Sequence, residues 1–477
     1  MTRPVSRLAR VTLVAAVLLL SGATPDAALA ATVDCAALRP STDPSVNRAA
    51  INDCLAGADR QAVLTAGSYP VDGGIVVPDG ARLLGDTTYP TIRLAANRLG
   101  AAQLVRFTGS GARVGFLRLD AGNLLALGCC SAVVMFSGSG TGNNLLDDAV
   151  VTGAFETTGV YVLCGACHGN QMLRVDIHNN FYGIIFGPFN DSAHVNTLLA
   201  SSVHDNRCDG VTFMGTDLSI GRPGGYGVID GSALYRNGRD CENGIPGAAV
   251  YSKGNLAGAR IVNSKLYENC GNNLDLVEVE RFRIEANDMY TPGYPVPGAV
   301  YYCTATASAA LVNIRESTIK LNTVRNSNTR TMAGIAGDSN RFFNADGAAK
   351  YSDLTGGGNG LVAFLLASFR TGTPSMHNTI DGNRFIGTCT SPCVGTGYFA
   401  TRDTGFDASG GWSSATTNYY TNNSPYGSNV GSRRGGGNWY AANTVCTAQS
   451  SPAPCNQDDY QHPTSVNWAR NDGFYHY

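Results

Sequence analysis

The stretch Val175-Asp-Ile-His-Asn-Asn-Phe-Tyr-Gly-Ile-Ile-Phe186 sets a pattern that returns as Val203-His-Asp-Asn-Arg-Cys-Asp-Gly-Val-Thr-Phe213. Further copies follow at residues 234–238, 266–276 and 282–287. Each copy joins alternating apolar residues to an Asn, and most continue with Gly or Asn and a second apolar strand. A repeat of this kind decides the architecture, because each copy adds one unit to a stack.

The Asn residues of these copies predict the corners of the stack. They are Asn179, Asn206, Asn237, Asn269 and Asn287, at intervals of 27, 31, 32 and 18 residues. Asn suits a corner because it tolerates the left-handed backbone region and its amide can bond to the backbone. Amides stacked from coil to coil would bond to each other in a ladder. Together with inward apolar residues at alternate positions, this predicts an all-β fold, a parallel β-solenoid.

The N-terminal part of the chain carries a family resemblance. Residues 46–58 have apolar residues at helical spacing and predict one helix that would cap the open end of the stack. This helix, Gly67-Ser-Tyr69 and the phrase at residues 75–85 (Ile-Val-Val-Pro-Asp-Gly-Ala-Arg-Leu-Leu-Gly) resemble the opening of pectate-lyase-like proteins. The resemblance continues to about Gly387. It implies a right-handed parallel β-helix with an N-terminal capping helix and an irregular C-terminal cap.

The resemblance predicts the fold rather than one reaction. The catalytic phrases of polygalacturonases and of classical pectate lyases are absent from the sequence. The same fold serves lyases, hydrolases, epimerases and tailspikes. We therefore expect a carbohydrate-related function and leave its chemistry to the residues of the helix face.

The chain ends predict export and the domain order. Residues 1–30 combine Arg3, Arg7 and Arg10 with an apolar run and small residues ending at Ala30, the design of a secretory signal peptide. We expect a secreted, extracellular protein in which residues 31–403 form the β-helix. Residues 404–477 are rich in Gly, Ser, Asn and aromatics and are expected to form a C-terminal cap or tail.

Composition limits the partners. Only 15% of the 477 residues are charged, and the net charge is -2. Nucleic-acid binding needs clustered Lys and Arg, so the charge composition of this chain does not indicate a nucleic-acid partner. No segment after the signal peptide is apolar enough for membrane insertion. We expect a monomer whose partner is a polysaccharide.

Fourteen cysteines in an exported chain favour disulfides. The local pairs predicted are Cys35–Cys54, Cys164–Cys167, Cys389–Cys393 and Cys446–Cys455, while Cys129 and Cys130 stay ambiguous. A zinc site at Cys164 and Cys167 is the other interpretation of that spacing. Four further cysteines recur at about one coil's interval and would bridge neighbouring coils: Cys208, Cys241, Cys270 and Cys303.

Aligning the copies on the Asn column predicts one outward face. The position before the Asn holds His178, Asp205, Arg236 and Glu268, and the position before that holds Ile177, His204, Tyr235 and Tyr267. Glu285 precedes the last Asn less directly. The predicted catalytic residues are His204, Asp205, Tyr235, Arg236, Tyr267, Glu268 and Glu285.

Two chemistries and one structural role fit this face. Asp205 and Glu268, two coils or about 9.6 Å apart, would serve hydrolysis as acid and base. For β-elimination, His204, Tyr235 or Tyr267 would be the base and Arg236 would neutralise a uronate. Alternatively, the alternating charges knit neighbouring coils together. His178 is expected to be a corner residue.

An acidic region near the same coils suggests one ion. It comprises Asp240, Glu242, Asp275, Glu278 and Glu280. Calcium prefers such hard oxygen ligands, although solvated strand edges have the same composition. No other cofactor is indicated.

The sequence therefore predicts a secreted carbohydrate-active enzyme that cleaves a polysaccharide, by β-elimination or by hydrolysis. The alternative is a non-catalytic β-helix that binds a glycan or a cell surface.

Overall fold

Short strands follow one another along the chain and return, coil after coil, to the same three sheets. In a computed structural model of the protein, each strand pairs in parallel with the strands three places before and after it. One coil therefore contributes one strand to each sheet. The chain forms a right-handed parallel β-helix with an N-terminal helix, which confirms the predicted fold.

The structure describes most of the chain between residues 34 and 457. The described residues are 34–128, 130–138, 142–163, 167–188, 195–215, 224–241, 246–290, 294, 296–299, 303, 307–312, 314–328, 362–368, 377–389, 398–405, 419–421, 424–426, 430–433, 439–441, 444–445 and 456–457. The predicted signal peptide at residues 1–30 lies outside them.

Within the described residues, the three sheets hold 13, 12 and 12 strands. The first sheet comprises β1 (Gln61–Leu64), β4 (Arg82–Gly85), β7 (Arg113–Gly115), β10 (Leu145–Asp147), β13 (Gln171–Leu173), β16 (Thr197–Leu199), β19 (Val228–Asp230), β22 (Arg260–Val262), β25 (Arg283–Glu285), β28 (Thr318–Lys320), β31 (Thr379–Asp381), β34 (Tyr419–Thr421) and β37 (Trp439–Ala441). The second sheet comprises β2 (Ser68–Val71), β5 (Thr91–Leu94), β8 (Arg118–Asp120), β11 (Val150–Thr152), β14 (Asp176–His178), β17 (Ser202–His204), β20 (Ala233–Tyr235), β23 (Lys265–Tyr267), β26 (Asp288–Tyr290), β29 (Thr323–Asn328), β32 (Arg384–Cys389) and β35 (Ser424–Tyr426). The third sheet comprises β3 (Ile75–Val77), β6 (Gln103–Phe107), β9 (Ala132–Ser137), β12 (Thr158–Leu163), β15 (Tyr182–Phe186), β18 (Val211–Phe213), β21 (Val250–Lys253), β24 (Leu274–Val277), β27 (Ala307–Val312), β30 (Val362–Ser368), β33 (Tyr398–Gly405) and β36 (Val430–Arg433).

Strands also occur in the segment that the sequence predicts to be a C-terminal cap or tail. Strands β34 to β37, between residues 419 and 441, extend the three sheets beyond residue 403. Strands β38 (Thr444–Val445) and β39 (Asn456–Gln457) form a separate antiparallel pair. The division at residue 403 stays a prediction.

The N-terminal helix α1 (Pro44–Ala56) covers the first coil, as predicted. It begins two residues earlier than predicted, because the Asp43 side chain accepts a hydrogen bond from the Ser45 N–H and caps the helix. Ile51 and Leu55 on its inner face are buried in the same core as the first strands. Among the described residues, no helix has the length and hydropathy needed to cross a membrane.

Inward side chains of successive coils stack on one another. Phe107 lies on Phe136 with 4.6 Å between ring centroids, and Phe186 lies on Phe213 with 5.1 Å. All four rings are fully buried. Because neighbouring coils are in register, equal side chains meet face to face, and the core continues along the axis.

Asn ladders occupy all three kinds of corner, and the one between the third and first sheets runs through Asn144, Asn170 and Asn196. At the second corner, between the second and third sheets, the Nδ2 of Asn180, Asn206 and Asn237 each donates to the Oδ1 of the next Asn, at 3.3, 2.9 and 3.1 Å. The last acceptor is Asn269. The predicted ladder is thus confirmed for Asn206, Asn237 and Asn269.

Two residues that were assigned to the predicted Asn column, Asn179 and Asn287, do not belong to the ladder at the second corner. Asn180, not Asn179, belongs to the ladder, because Asn179 is the left-handed residue (φ 54°) that turns the chain before it. Asn287 lies at the first corner, between the first and second sheets, where it donates to Asn322 at 3.0 Å. Both corners place a buried Asn after a left-handed residue, so their local sequences look alike.

Disulfides join the cap and two pairs of coils. Cys35–Cys54 is bonded, as predicted. Cys208–Cys241 and Cys270–Cys303 are also bonded, so these four cysteines bridge neighbouring coils as predicted, and the structure supplies their pairing. Cys167 is also disulfide-bonded, while its predicted partner Cys164 lies outside the described residues. Residues 393, 446 and 455, which belong to the other predicted pairs, lie outside them as well, and so does residue 129.

Candidate functional site

A row of five stacked rings runs along the second sheet, and we call it the ring row. It consists of the last residues of β14, β17, β20, β23 and β26, namely His178, His204, Tyr235, Tyr267 and Tyr290. Successive ring centroids are 5.2, 4.6, 4.9 and 4.8 Å apart. The rings point outward because the residue before each is inward in the alternation of the strand. All five are half-buried.

His204 is the centre of a charged network beside the row. Its Nε2 lies 2.8 Å from Asp176 Oδ1, and its Nδ1 lies 2.7 Å from Asp205 Oδ2. The same Asp205 oxygen accepts a hydrogen bond from Arg236 at 2.6 Å. The guanidinium of Arg236 also lies over the ring of Tyr235, 5.0 Å from its centroid. The network thus links three successive coils.

The network separates the protonation states of the two histidines. Burial opposes the imidazolium of His204, but its hydrogen bonds to Asp176 and Asp205 prevail and raise its pKa to about 9. Burial lowers the pKa of His178, and the charge of His204 lowers it further. At neutral pH the row therefore holds one imidazolium beside one neutral imidazole.

Neither aspartate of the network is suited to donate a proton. Burial raises the pKa of Asp176 and of Asp205, but hydrogen bonds to His204 outweigh it, so both values lie below the ordinary one. Arg236 adds to this effect at Asp205. Hydrolysis needs a carboxylic acid with a raised pKa, so the geometry does not support Asp205 in that part of its predicted role.

Two hydroxyls of the ring row are unengaged. Those of Tyr235 and Tyr267 make no hydrogen bond to any residue that the structure describes, and burial raises the pKa of both. They remain neutral donors at physiological pH. Glu268 follows Tyr267 at the left-handed corner position (φ 53°), two coils beyond Asp205, as the alignment predicts.

The alignment was wrong for Glu285. Glu285 ends β25 in the first sheet, where it pairs in register with Val262 and Lys320 and accepts hydrogen bonds from Arg283, including one of 3.0 Å. It lies away from the ring row because Asn287 belongs to the first corner. His178 was also placed wrongly, since it pairs in register with His204 and is a member of the row.

Sequence reasoning missed Asp176 and Tyr290. Tyr290 would have been found by aligning β26 with β23 instead of aligning on Asn287. Asp176 lies two residues before His178, on the same outward side of the strand, so the alternation of the strand is the signal that indicates it.

Two buried carboxyl groups lie on the outer side of the third sheet, in what we call the third-sheet cluster. It is formed by Asp209, Thr212, Tyr251 and Asp275. Thr212, Tyr251 and Asp275 occupy one register position in three successive coils, and Asp209 precedes Thr212 by three residues. Asp209 is 6% exposed and Asp275 is 4% exposed.

The pKa values of both carboxyl groups are raised into the neutral pH range. Burial raises the pKa of Asp209 to about 7 and that of Asp275 to about 8, and the charge of Asp209 contributes to the shift at Asp275. Burial and then the charges of Asp275 and Asp209 raise the pKa of Tyr251. Perturbed carboxyl groups of this kind are frequent at functional sites.

Long connections adjoin the third sheet. The first corner between β16 and β17 takes only residues 200–201, whereas residues 214–227 follow β18 and residues 236–249 precede β21. Loops grafted on a rigid scaffold often build a cleft. Sequence analysis noticed only Asp275, because Asp209 looked like part of a corner.

The predicted calcium region is divided between different places. Asp240 pairs with Arg207, whereas Glu280 pairs with Arg281 and Arg315. Glu242 lies outside the described residues. Among those described, the one group of three metal-ligand types that converges is Cys208, Asp209 and Cys241, and its two cysteines are joined in a disulfide.

No protein-family model matches the sequence, and no curated protein matches it either. Among solved structures, the chain is similar to the A-module of mannuronan C-5 epimerase AlgE6 from Azotobacter vinelandii, with 12% identity and a TM-score of 0.55 over 86% of this chain and 97% of the module. It is also similar to the Dettilon tailspike protein, with 15% identity and a TM-score of 0.53 over 86% of this chain and 70% of the tailspike. At these identities the likeness is one of fold, and it confirms the pectate-lyase-like parallel β-helix.

Proposed function

We propose that this protein is a secreted enzyme that binds a polysaccharide along the ring row and cleaves it. The observation that carries the proposal is the row itself, a line of outward rings with one ring per coil. The A-module that shares the fold is named for mannuronan. For this chain we propose a ligand of the same broad class, a polysaccharide, and we do not propose the epimerase reaction.

The dimensions of the row suit an extended sugar chain. Its rings repeat every 4.6 to 5.2 Å, close to the length of one pyranose residue. The hydroxyls of Tyr235 and Tyr267 would donate hydrogen bonds to successive sugars. Beside the row, the small side chains of Ser202 and Ala233 occupy the neighbouring outward positions and leave room for a ligand.

The charges of the row support its role in binding the substrate. His204 and Arg236 are cations, and Asp176 and Asp205 are anions that contact them directly. A network that is already compensated needs no further counter-ion. We therefore assign His204, Asp205, Tyr235, Arg236, Tyr267 and Glu268 to substrate contact.

A non-catalytic glycan-binding protein is the second candidate. The same compensated network favours it, because cross-strand ion pairs also stabilise a β-helix that has no chemistry to perform. The two candidates differ in one observable, the release of product from a bound glycan.

A glycan panel tests the proposal. Purified protein is incubated with uronate-containing and neutral polysaccharides, and binding, reducing ends and unsaturated uronate are measured. The double variant Tyr235→Phe/Tyr267→Phe keeps the stacked rings but lacks both hydroxyls, so we expect normal folding and about 30-fold weaker binding, since two lost hydrogen bonds at about 1 kcal/mol each cost about 2 kcal/mol.

Two further variants test the charged positions. Asp205→Asn and Glu268→Gln alter the two predicted carboxylates, and Asp53→Asn on the exposed side of α1 is the matched control. Binding that is unchanged in the Tyr and charge variants would remove the ring row as the contact surface. If no polysaccharide of the panel binds or is cleaved, the proposed function itself is contradicted.

A further inference from the structure

We propose that Asp176 is a positioning residue of the ring row, because it fixes the plane of the His204 ring against which Tyr235 stacks. Through that plane it keeps the tyrosine hydroxyls in line for a polysaccharide. This inference rests on the proposed function for its ligand. It adds a residue that acts on the ligand through His204.

Asp176 reaches His204 diagonally across two neighbouring strands. It begins β14 and pairs in register with Ser202, which lies two places before His204. Asp176 Oδ1 lies 2.8 Å from His204 Nε2. Side chains on the same face of neighbouring strands can meet along such a diagonal when one of them is long, and the small Ser202 does not obstruct it. The contact therefore follows from the register of the second sheet.

Two carboxylates hold the His204 ring by its two nitrogens. Asp176 binds Nε2, and Asp205 binds Nδ1 at 2.7 Å. A neutral imidazole has one N–H and can donate to only one carboxylate, so the two contacts together require the imidazolium. The χ2 angle of a histidine is otherwise only weakly restricted. One contact would leave the ring free to turn about this bond, whereas two contacts at different nitrogens fix its plane.

The tyrosines of the ring row continue the plane of His204. The ring planes of His204 and Tyr235 differ by 9°, with 4.6 Å between the centroids. The next two steps, to Tyr267 and then to Tyr290, differ by 6° each. The Tyr235 hydroxyl makes no hydrogen bond to any described residue, so ring contacts set the direction of this side chain. A change in the plane of His204 would therefore turn Tyr235 first.

Charged and titratable side chains surround Asp176 and His204 from four coils. They are Arg118 on β8, His178 on β14, Asp205 after β17, and Tyr235 and Arg236 at the end of β20. Burial opposes the imidazolium of His204, but the hydrogen bonds to the two aspartates raise its pKa to about 9. Removing the charge of Asp176 takes away one of these bonds to a carboxylate, so the pKa of His204 should fall towards 6.5.

Imidazole NMR titrations without ligand test the contact directly. Asp176→Asn keeps the size of the side chain and one acceptor oxygen but removes the charge. We expect wild-type His204 to stay doubly protonated up to about pH 9 and the pKa of His204 in the variant to be lower by about 1 to 2. Asp288→Asn is the matched control, since Asp288 begins β26 as Asp176 begins β14, and it should leave the His204 titration unchanged.

Binding measurements test the effect on the ring row. The probe is the polysaccharide of the glycan panel that wild type binds most tightly. We expect the ratio of variant to wild-type dissociation constants to rise about 10-fold between about pH 6 and about pH 8.5, because the protonated fraction falls tenfold for each pH unit above the pKa. Asp209 and Asp275 titrate in both proteins, so their effect cancels in this ratio.

Asp176→Glu keeps the carboxylate and should keep the ratio constant over the same pH range. Melting temperatures verify that both variants are folded. A ratio that is raised equally at every pH in Asp176→Asn would indicate direct contact or a purely structural role and would overturn the inference. So would an unchanged His204 titration in that variant, or a ratio for Asp176→Glu that rises as it does for Asp176→Asn.

A failure of the proposed function gives a different result. If wild type binds no polysaccharide of the panel at any pH, the function is contradicted. The NMR titrations need no ligand, so they would still decide whether Asp176 fixes His204.

Discussion

At the scale of single residues, His204 and Asp205 are sequence neighbours whose side chains meet because their backbones differ. His204 ends a strand and points outward, whereas Asp205 occupies the left-handed region at φ 51°. That turn brings the carboxylate back to the imidazole at 2.7 Å. A left-handed conformation is unfavourable for a residue with Cβ, so the ion pair stabilises a corner that the backbone alone would disfavour.

The raised pKa of His204 predicts a stability change with pH. Its folded value of about 9 exceeds the unfolded value of 6.5, so its contribution is complete below pH 6.5 and is lost as pH rises through about 9. The contribution is on the order of 2 to 3 kcal/mol. We expect the unfolding free energies of wild type and His204→Gln to converge between pH 7 and pH 10 in denaturant titrations.

A difference that stays constant across this range would contradict the assigned ionisation. The comparison must be made between the two proteins, because Asp209 and Asp275 also titrate. Their raised folded pKa values make wild type less stable as pH rises from about 4 towards 8, and this effect cancels in the difference.

At the scale of elements, the corners fix how the three sheets follow one another. A left-handed residue turns the chain, and a fully buried Asn behind it satisfies backbone groups of two coils. Asn237, for example, donates to Val203 O at 3.0 Å and to Asn269 Oδ1 at 3.1 Å. Buried backbone carbonyls need such partners because water cannot reach them.

Asn237→Ala is therefore expected to destabilise the protein. The change removes these two bonds and the two that Asn237 Oδ1 accepts from the backbone N–H and the Nδ2 of Asn206. It leaves buried polar groups of neighbouring coils unsatisfied, at a cost of about 2 to 4 kcal/mol. Asn179→Gly is the matched control, since it keeps a left-handed turn outside the ladder and should change stability by less than about 1 kcal/mol. Urea titrations of both variants measure the effect. An equal decrease in the unfolding free energy of both variants would contradict a stabilising role of the Asn ladder.

At the scale of the whole molecule, the coils form one continuous stack, and each coil contacts its neighbours. Stability in such a molecule is a sum of neighbour terms. Two disulfides, Cys208–Cys241 and Cys270–Cys303, each join one coil to the next across 33 residues. They lie in the same coils as the ring row and the third-sheet cluster.

Removing one of these bridges should loosen those coils. For a loop of this length, the chain-entropy estimate is about 3 to 4 kcal/mol. We expect Cys208→Ser/Cys241→Ser to lower the thermal midpoint and to increase amide hydrogen exchange in β17 to β21, with smaller changes in β1 to β6. Uniform exchange along the whole helix would argue against a local effect.

How much of the site could be predicted depended on the register. His204, Asp205, Tyr235, Arg236, Tyr267 and Glu268 come together as predicted, because their copies share one period. Glu285 was placed wrongly because Asn287, at the first corner, was aligned with the Asn residues of the second corner. His178 was placed wrongly because Asn179 was aligned in place of Asn180, which shifted that copy by one residue. Asp209 and Asp275 carry no shared motif, so no local signal joined them.

The sequence by itself determined the β-helix, the N-terminal helix and the Cys35–Cys54 disulfide. Period-two alternation decides which side chains face the core, and the repeat decides that coils stack, so both are local properties of the chain. Only the tertiary structure decided which outward residues share a column, because the register is set by the packing of neighbouring coils. The protonation of His204, Asp209 and Asp275 was decided there too, since burial and facing charges exist only once the coils have stacked.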